Sequence, residues 1–468
     1  MKRVWAVLGL LFLLLLAARL CHVDILWAEE DLPLAAAVQM LHGKFLYRDV
    51  WFDKPPLTAA IYLLWGAQTG WILRLAGSLY VLAACGLAYK LARAMWGVRE
   101  GLAAACALAF FLTFGMPAAV IPLAADLLML VPHLAAVYLA WRGRAFWSGC
   151  LAGIALLFNS KAFFILAVCA LWVPRSIPVL ALGFLLPNAA LLAWYASQGA
   201  LVSFYRQVWE WGAIYAGSTF LEHPLRDGVL RTLNWMGFHA ALVLCAAWFW
   251  LRDRSADRWR LGLWAALALA SVAAGWRFFP RYYLQALPVA ALAAARGFCL
   301  LGRRRAFVLL LLVIPLARFG PRYVLLARDL AAGRAHAWSD VVMNQDSREA
   351  ARLVRGMTGP GDTLFIWGFR PDIWAYTRLP AATRFLESQP LNGVFADRHL
   401  FQAESLAPQW TAANRAELAS SRPTFVLDGL GVFNPRLGMD KYGDLRNWLA
   451  NYSAVSRTRY TVIYRLVP

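Results

Sequence analysis

The residue types best suited to chemistry lie in a polar stretch near the N-terminus. Three consecutive acids, Glu29, Glu30 and Asp31, follow a Leu-rich apolar run. Carboxylates placed just beyond a membrane span can act as a general base or bind a metal ion. The same acids also suit the solvated first turn of a helix, where the helix dipole favours negative charge. The spacing alone favours this second, structural interpretation.

A second polar group follows in the same stretch. It contains Tyr47-Arg48-Asp49 and then Lys54-Pro55-Pro56. The apolar residues 34–42, which separate it from the acids, are predicted to form a helix lying along the membrane interface. Tyr47 and Lys54 are therefore candidates for binding a substrate at the membrane surface.

Further charges occur beside long apolar runs, where ionisable groups are costly and indicate function. They are Asp126, Lys161, Arg277 and Arg281, and Tyr282-Tyr283 follows the last of them. Each alone could be an anchor whose charged end reaches the interface. Since all four are predicted to lie on the same, outer side of the membrane, they are considered as one set.

This set combines carboxylates, cations and aromatic rings. Cations at a membrane surface suit a phosphate carried on a lipid. A carboxylate suits the deprotonation of an acceptor hydroxyl or amine, and aromatic faces suit sugars or prenyl chains. The residues therefore predict transfer of a group from a lipid-phosphate donor to an acceptor outside the membrane.

The elements that must position these residues are membrane-spanning helices. Hydrophobic residues make up 61% of the chain and charged residues 15%. In an ordinary soluble domain the charged fraction is higher, at about 25%. Runs of apolar residues predict about eleven transmembrane helices. The predicted spans are residues 4–22, 72–92, 100–116, 120–141, 147–160, 162–174, 177–196, 236–252, 260–276, 281–299 and 306–320.

The orientation follows from the basic residues. Arginine clusters such as 252–260 and 303–305 fall in the gaps that are cytoplasmic when the N-terminus is inside. The first span lacks a small-residue cleavage site and is predicted to be an uncleaved anchor. The arginines that set the orientation account for much of the net charge of +20. Because the basic residues are scattered over short loops, nucleic-acid binding is disfavoured.

The seven cysteines lie in or beside apolar runs and show no disulfide or zinc spacing.

The chain changes character after residue 320. Residues 363–367 and 424–428 are predicted strands, and residues 346–357 and 411–420 are predicted helices with Asp346 and Thr411 as N-caps. The sequence thus predicts a polytopic membrane domain over 1–320, with a first outer loop at 23–71, and an extracytoplasmic α/β domain over 321–468. The tail contains no phosphate loop or nucleophile motif.

At the first loop the sequence resembles a known family. The acids, the interfacial helix, Tyr47-Arg48-Asp49 and Lys54-Pro55-Pro56-Leu57 are similar to the loop of bacterial relatives of protein O-mannosyltransferases and aminoarabinose transferases. These are membrane glycosyltransferases of the GT-C fold. Asp126, Asn159-Ser160-Lys161 and the segment 277–288 are similar to later family features, as are residues 366–371 and 383–384. The resemblance covers nearly the whole chain.

The resemblance implies an inverting transfer of a sugar from a polyprenyl-phosphate donor, at the outer face of a bacterial plasma membrane. It implies that one of Glu29, Glu30 and Asp31 activates the acceptor, and Glu29 stands where the family usually has Asp. It assigns phosphate contacts to Lys54, Lys161, Arg277 and Arg281. It places Tyr282 and Tyr283 along the sugar or lipid groove, and gives Asp126 an orienting role.

Several points stay open at this level. No ligand spacing decides for or against a divalent cation such as Mg²⁺ or Mn²⁺. The sugar, prenyl length, acceptor and oligomeric state are not specified. The alternatives are a non-catalytic partner with the same fold, which the Glu29 exchange favours, and a lipid-linked saccharide transporter. A transporter would be expected to have polar residues at the bilayer midplane and internal repeats, and the sequence shows neither.

Overall fold

The structure is a computed structural model that describes residues 2–467, and it is mostly helical. The first helices are α1 Lys2–Leu20, α2 Ala28–Leu41, α3 Leu57–Ala60, α4 Trp71–Met95, α5 Val98–Phe111, α6 Pro117–Val120, α7 Ala125–Leu128, α8 Leu130–Trp141, α9 Ala145–Leu156, α10 Ala162–Trp172, α11 Ile177–Ser197 and α12 Leu201–Phe204. They are followed by α13 Trp211–Gly217, α14 Pro224–Phe238, α15 Ala240–Arg252, α16 Asp257–Ala273, α17 Leu287–Leu300, α18 Arg305–Leu311, α19 Val313–Ala331, α20 Ser339–Met357, α21 Asp372–Thr377, α22 Gln389–Asn392, α23 Pro408–Ala419 and α24 Gly443–Leu449.

Four helical stretches are long and apolar enough to cross a membrane. They are Lys2–Leu20, Trp71–Met95, Pro174–Ser197 and Gly302–Ala331. A fifth results if α14 and α15, which are bent by 93°, form one broken span. Shorter apolar helices occur at Ala125–Trp141, Ala145–Leu156, Ala162–Trp172 and Leu287–Leu300. Helices therefore occur in every predicted apolar run, while the count of about eleven spans stays a prediction.

Helix breaks account for the shorter elements. The predicted span 120–141 is wrong as a continuous helix, because the chain forms α6, α7 and α8 with irregular residues between α6 and α7. Residues 157–161 separate α9 from α10, and residues 274–286 separate α16 from α17. Such irregular backbone at membrane depth is tolerated where it is buried in protein or lines a cavity. Two of the breaks carry Lys161 and the segment 277–283, and Asp126 lies in the short helix α7 that follows the break after α6.

The chain divides into two compact units. The first contains residues up to Val23, Gly70–Trp194 and Leu221–Arg334, and thus most of the apolar helices. The second contains Asp24–Thr69, Tyr195–Phe220 and the chain from Ala335 onward. The first loop thus belongs to the same unit as the C-terminal part. The predicted domain boundary at residue 320 stays a prediction, although α19 runs through it.

The second unit contains a small sheet of β1 Leu364–Trp367, β2 Phe425–Asp428, β3 Tyr452–Arg457 and β4 Val462–Leu466. The strand order is β1-β2-β4-β3, with β1 and β2 parallel and the other pairs antiparallel. Both predicted strands are present within a residue of their predicted bounds. Residues such as Phe365, Trp367 and Val426 are fully buried, as expected for short apolar strands covered on both faces.

Two predicted helix starts in this unit are wrong. Helix α20 begins at Ser339, so Asp346 lies in its middle, and α23 begins at Pro408, ahead of Thr411. Asp346 is buried, and its carboxylate accepts hydrogen bonds from Arg370 Nη2 at 3.2 Å and from the Thr461 hydroxyl at 2.9 Å, which offset the cost of burying it. The local sequence rules predict Asp346 as a helix cap, but in the structure its carboxylate forms an ion pair with Arg370 instead.

The first loop is joined to the C-terminal part of the second unit by a side chain in α2. The Gln39 amide donates to the Leu379 carbonyl at 3.0 Å and accepts from the Ala381 N–H at 2.8 Å. Further along the loop, the Trp51 N–H donates to the Arg384 carbonyl at 2.7 Å. Trp51 then packs in one hydrophobic core with Trp367 and Phe385. The loop is thus part of a folded body.

We predict that Gln39→Leu loosens this connection without unfolding the protein. The substitution leaves the half-buried Leu379 carbonyl and the buried Ala381 N–H without their partner, at a cost of about 2 kcal/mol. Hydrogen exchange measured by mass spectrometry should speed up in residues 43–56 and 379–384. Gln68→Leu, at an exposed glutamine of the same unit, is the control. Equal protection in both variants would contradict the role of Gln39.

An ion-paired triad links three segments of the first unit. Arg296, in α17, donates through Nη1 to Glu100 Oε1 and through Nε to Asp253 Oδ2, both at 2.8 Å. Helices α15 and α17 are in close contact beside it, since a Cβ on Gly297 would lie 1.8 Å from the Cys245 carbonyl oxygen. Burial of charge is tolerated here because each carboxylate has a cationic partner.

We predict that Arg296→Met lowers the free energy of unfolding by about 2 kcal/mol. Two carboxylates would lose their partner, and the partial exposure of Arg296 keeps the cost below that of a fully enclosed pair. Thermal unfolding in detergent measures the effect. Arg260→Met, which removes the 44% exposed partner of Asp257, should cost less than about 1 kcal/mol. Equal losses would contradict the assignment.

Candidate active site

Asp126 is the centre of a polar cluster in the first unit. It lies in the short helix α7 and is only 5% exposed. Its Oδ1 accepts from Asn159 Nδ2 at 3.0 Å and from Gln285 Nε2 at 3.3 Å. Its Oδ2 lies 3.7 Å from Arg281 Nε. Two helix breaks, residues 157–161 and 274–286, thus supply the partners of one buried carboxylate.

Lys161 and Tyr282 extend this cluster. The Lys161 Nζ lies 3.0 Å from the centroid of the Tyr282 ring and is buried. The Arg281 guanidinium lies 5.5 Å from the same ring. An ammonium at this position is attracted to the negative face of the ring. The structure therefore brings together Asp126, Lys161, Arg281 and Tyr282, which the sequence had separated by up to 156 positions (282 minus 126).

Arg277 lies in a strained segment just before this cluster. Trp276 and Phe278 have φ angles of 52° and 49°, a left-handed conformation that costs residues with a side chain about 1–2 kcal/mol each. Arg277 itself is 1% exposed, and its carbonyl accepts from Arg231 Nη1 at 3.0 Å. Backbone strain of this kind persists where the surrounding structure imposes it, and it is enriched at ligand sites.

A cavity of ≈ 380 Å³ lies beside this segment. Its lining includes Trp235, Phe278, Tyr283, Arg231 and Arg318. Tyr283 stacks on Trp235 with ring centroids 5.2 Å apart, and its hydroxyl lies 2.8 Å from the Thr232 hydroxyl. Aromatic walls with a few polar groups are typical of small-molecule sites, and the volume is within their usual range. Arg231 and Trp235 were not predicted from the sequence, where they lie in an ordinary amphipathic stretch.

The three acids of the first loop lie in the second unit. They occupy the first turn of α2, as the structural interpretation predicted. The solvated environment that it assumed is wrong for two of them, since Glu30 is 0% and Asp31 5% exposed. Glu29 is partly exposed. Among these acids, Glu29 is therefore the most open to an incoming acceptor.

Asp31 has an acidic neighbour from the C-terminal part of the same unit. Burial raises the pKa of Asp31 well above its ordinary value, and the neighbouring carboxyl of Asp372 raises it further. Burial also raises the pKa of Asp372, while Arg370 acts in the opposite direction. Burial and the neighbouring carboxyl thus favour the protonated form of Asp31. The sequence did not reveal this, because residues 31 and 372 are distant in the chain.

The residues Tyr47 and Lys54 lie in one tightly folded segment. The Tyr47 hydroxyl donates to the Lys54 carbonyl at 2.8 Å, and its ring contacts Tyr195 and Phe204. Because Tyr47 is fully buried, it shapes the loop that carries Lys54. The Lys54 Nζ lies 3.2 Å from Asp53 Oδ2, with 34% of its side chain exposed. Lys54 therefore keeps access to solvent.

Glu387 is a buried acid that sequence reasoning missed. Burial raises the pKa of Glu387 to about 8, and the charge of Asp53 acts in the same direction. The Gln389 N–H donates to its carboxylate at 2.5 Å. In the sequence it is one acid in a polar segment, and only the fold encloses it beside the first loop.

No group of three or more His, Cys, Asp or Glu side chains that could hold a metal ion occurs within residues 2–467. The first unit holds Asp126, Lys161, Arg277, Arg281, Tyr282 and Tyr283, and the second holds Glu29, Glu30, Asp31, Tyr47 and Lys54.

Solved structures with the same architecture cover the whole chain. ArnT, an aminoarabinose transferase from Cupriavidus metallidurans, matches in its apo state with a TM-score of 0.61 and 15% identity over 100% of this chain and 98% of that one. The same protein bound to undecaprenyl phosphate matches with a TM-score of 0.58 and 16% identity over 100% and 99%. This chain has the GT-C fold.

A more distant match is the apo oligosaccharyltransferase of Archaeoglobus fulgidus. It has a TM-score of 0.50 and 13% identity, covering 96% of this chain and 72% of that one. No protein-family model matches the sequence, and neither does any curated protein. At these identities the structural likeness confirms the fold that the first loop indicated. The activity has to be argued from the residues.

We predict that Glu387→Gln stabilises the protein more as the pH rises. The pKa of Glu387 in the folded protein is about 8, above the ordinary value of 4.5. Ionisation of Glu387 therefore lowers the free energy of unfolding as the pH rises between these two values. The variant should match the wild type near pH 4.5 and melt about 4 °C or more higher near pH 8. Thermal unfolding against pH measures the difference. The exposed Glu404→Gln should show no such trend, and a pH-independent gain for Glu387→Gln would contradict the prediction.

Proposed function

We propose that the protein transfers a sugar from a polyprenyl-phosphate donor to an acceptor at the outer face of the bacterial plasma membrane, with inversion at the anomeric carbon. The observation that carries the proposal is the Asp126–Arg281–Tyr282 cluster, which lies beside the strained segment that holds Arg277 and beside an aromatic cavity. The fold supports it, because ArnT with the same architecture is known bound to undecaprenyl phosphate. Cations, a carboxylate and aromatic faces are the groups that such a donor requires.

The cations are assigned to the lipid phosphate. Arg281 forms an ion pair with Asp126, and this contact sets the orientation of its guanidinium. Arg277 is held by the strained segment, and Lys54 keeps solvent access. Lys161 places its positive charge against the face of the Tyr282 ring. Their charge stabilises the phosphate as it departs, when its negative charge is greatest.

The aromatic residues are assigned to the sugar and the prenyl chain. The Tyr282 ring is in contact with the Lys161 ammonium. Tyr283 and Trp235 stack on each other and form one wall of the 380 Å³ cavity. Asp126 is a positioning residue in this scheme, because its oxygens already hold Asn159, Gln285 and Arg281. Its carboxylate thereby joins α7 to the helix breaks at 157–161 and 274–286.

The chemical step is a single in-line displacement. The acceptor oxygen or nitrogen forms a bond to the anomeric carbon as the bond from that carbon to the phosphate oxygen breaks. The electron pair leaves with the lipid phosphate, and the acceptor proton passes to a carboxylate. We assign that carboxylate to Glu29, because Glu30 is 0% exposed and the raised pKa of Asp31 favours its protonated form.

The second candidate function is a non-catalytic partner in the assembly of envelope glycans. One observation favours it: the most accessible of the three adjacent acids is Glu29, which is longer than the Asp of the family pattern. A carrier for lipid-linked saccharides is the third candidate. Both would bind prenyl phosphates without consuming a donor, and this separates them from a transferase.

We predict that Glu29→Gln lowers sugar transfer at least about 100-fold while leaving lipid-phosphate affinity unchanged, since a base acts only in the chemical step. Arg281→Gln should weaken that affinity about tenfold, because it removes a phosphate contact. The assay uses purified protein, radiolabelled polyprenyl-phosphate monosaccharides and an envelope extract as acceptor. Glu349→Gln, on the exposed side of α20, is the control.

The outcomes separate the three functions. Donor consumption that is lost only in Glu29→Gln supports the transferase and identifies its base. Loss only in Glu30→Gln or Asp31→Asn keeps the transferase and moves the base. If the wild type consumes no donor but binds undecaprenyl phosphate, the protein is a partner or carrier and the catalytic proposal fails.

A further inference from the structure

A small cavity lies among α8, α10 and α16 of the first unit. Its volume is ≈ 10 Å³, about the space that one water molecule requires, and its lining includes His133, Lys161, Ser271 and Gln285. His133, Ser271 and Gln285 are each 2% exposed. A cavity of this size holds a water molecule only where it offers two to four polar partners.

The lining supplies those partners. Within residues 2–467, the buried atoms His133 Nδ1, Lys161 Nζ and Ser271 Oγ make no hydrogen bond to protein. Each such atom would cost about 1–3 kcal/mol if it stayed unsatisfied. Three of them around one cavity are far from a random distribution, since buried polar groups in proteins are nearly always paired.

The donors and acceptors also match a single water. Trp264 Nε1, which can only donate, lies 3.0 Å from His133 Nε2, so Nε2 accepts and the proton of the neutral ring is on Nδ1. His133 Nδ1 and Lys161 Nζ therefore both donate into the cavity. Ser271 Oγ can accept, and so can the carbonyl oxygen of Gln285, whose amide nitrogen donates to Asp126. Two donors and two acceptors complete the four hydrogen bonds of water.

We infer that this cavity holds one ordered water, through which His133 and Ser271 position the Lys161 ammonium beneath the Tyr282 ring. The water connects the buried side of Lys161 to Gln285 and so to Asp126. His133 and Ser271 are positioning residues in this arrangement. Its effect on donor binding rests on the proposed function, in which the Tyr282 cluster contacts the lipid phosphate.

The first test is affinity for undecaprenyl phosphate, measured with full-length protein in nanodiscs. Ser271→Ala and His133→Leu each remove one partner of the water, and each should weaken binding about fivefold to tenfold. His133→Asn retains an amide N–H near the Nδ1 position and should restore most of the affinity. Ser148→Ala removes a buried hydroxyl that bonds the Ala136 carbonyl elsewhere in the bundle, and should leave affinity unchanged.

The second test does not depend on function. An electron cryo-microscopy map at better than about 2.5 Å should show one water peak within hydrogen-bonding distance of His133, Lys161 and Ser271 in the wild type, and none in His133→Leu. If the cavity has no peak and Ser271→Ala binds like Ser148→Ala, the inference is overturned. If Lys161→Gln and Arg281→Gln also bind normally while the water is present, the water site stands and the proposed donor site fails.

Discussion

The structure of the second unit depends on hydrogen bonds between the Gln39 side chain and the backbone at residues 379–381. A primary amide can donate and accept at once, so it satisfies two backbone groups that burial would otherwise leave unpaired. These bonds hold the acid-bearing helix α2 to a segment more than 300 residues later in the chain. The C-terminal part consequently supplies acidic neighbours to the first loop, Asp372 to Asp31 and Glu387 to Asp53.

In the first unit, the same requirement explains why the chemistry lies at helix breaks. Interrupted helices expose backbone groups that need partners, and they also release side chains from helical spacing. Lys161 and Arg281 come from two separate breaks and Asp126 from the short helix α7, and they pair with one another or with nearby amides and rings. A cluster of this kind is costly at membrane depth unless nearly every polar atom is satisfied.

Several features followed from the sequence because they are local. Long apolar runs predicted the helices, apolar strand patterns predicted β1 and β2, and the first-loop residues indicated a fold that the structure confirms. The candidate residues of the first unit were chosen because charge beside apolar sequence is rare, and four of them form one cluster. Predictions that relied on local capping rules failed at Asp346 and Thr411, where tertiary partners or an earlier start decide the helix.

The sequence by itself determined the class of the protein and the residue types of its site, since composition and hydrophobic period depend on neighbouring residues. Only the tertiary structure decided which acid is open and which is enclosed, because Glu29, Glu30 and Asp31 are adjacent in the chain but differ in burial. It also decided that Glu387, His133 and Ser271 belong beside the predicted residues. Such pairings arise when distant segments pack, and the pattern along a single chain does not specify them.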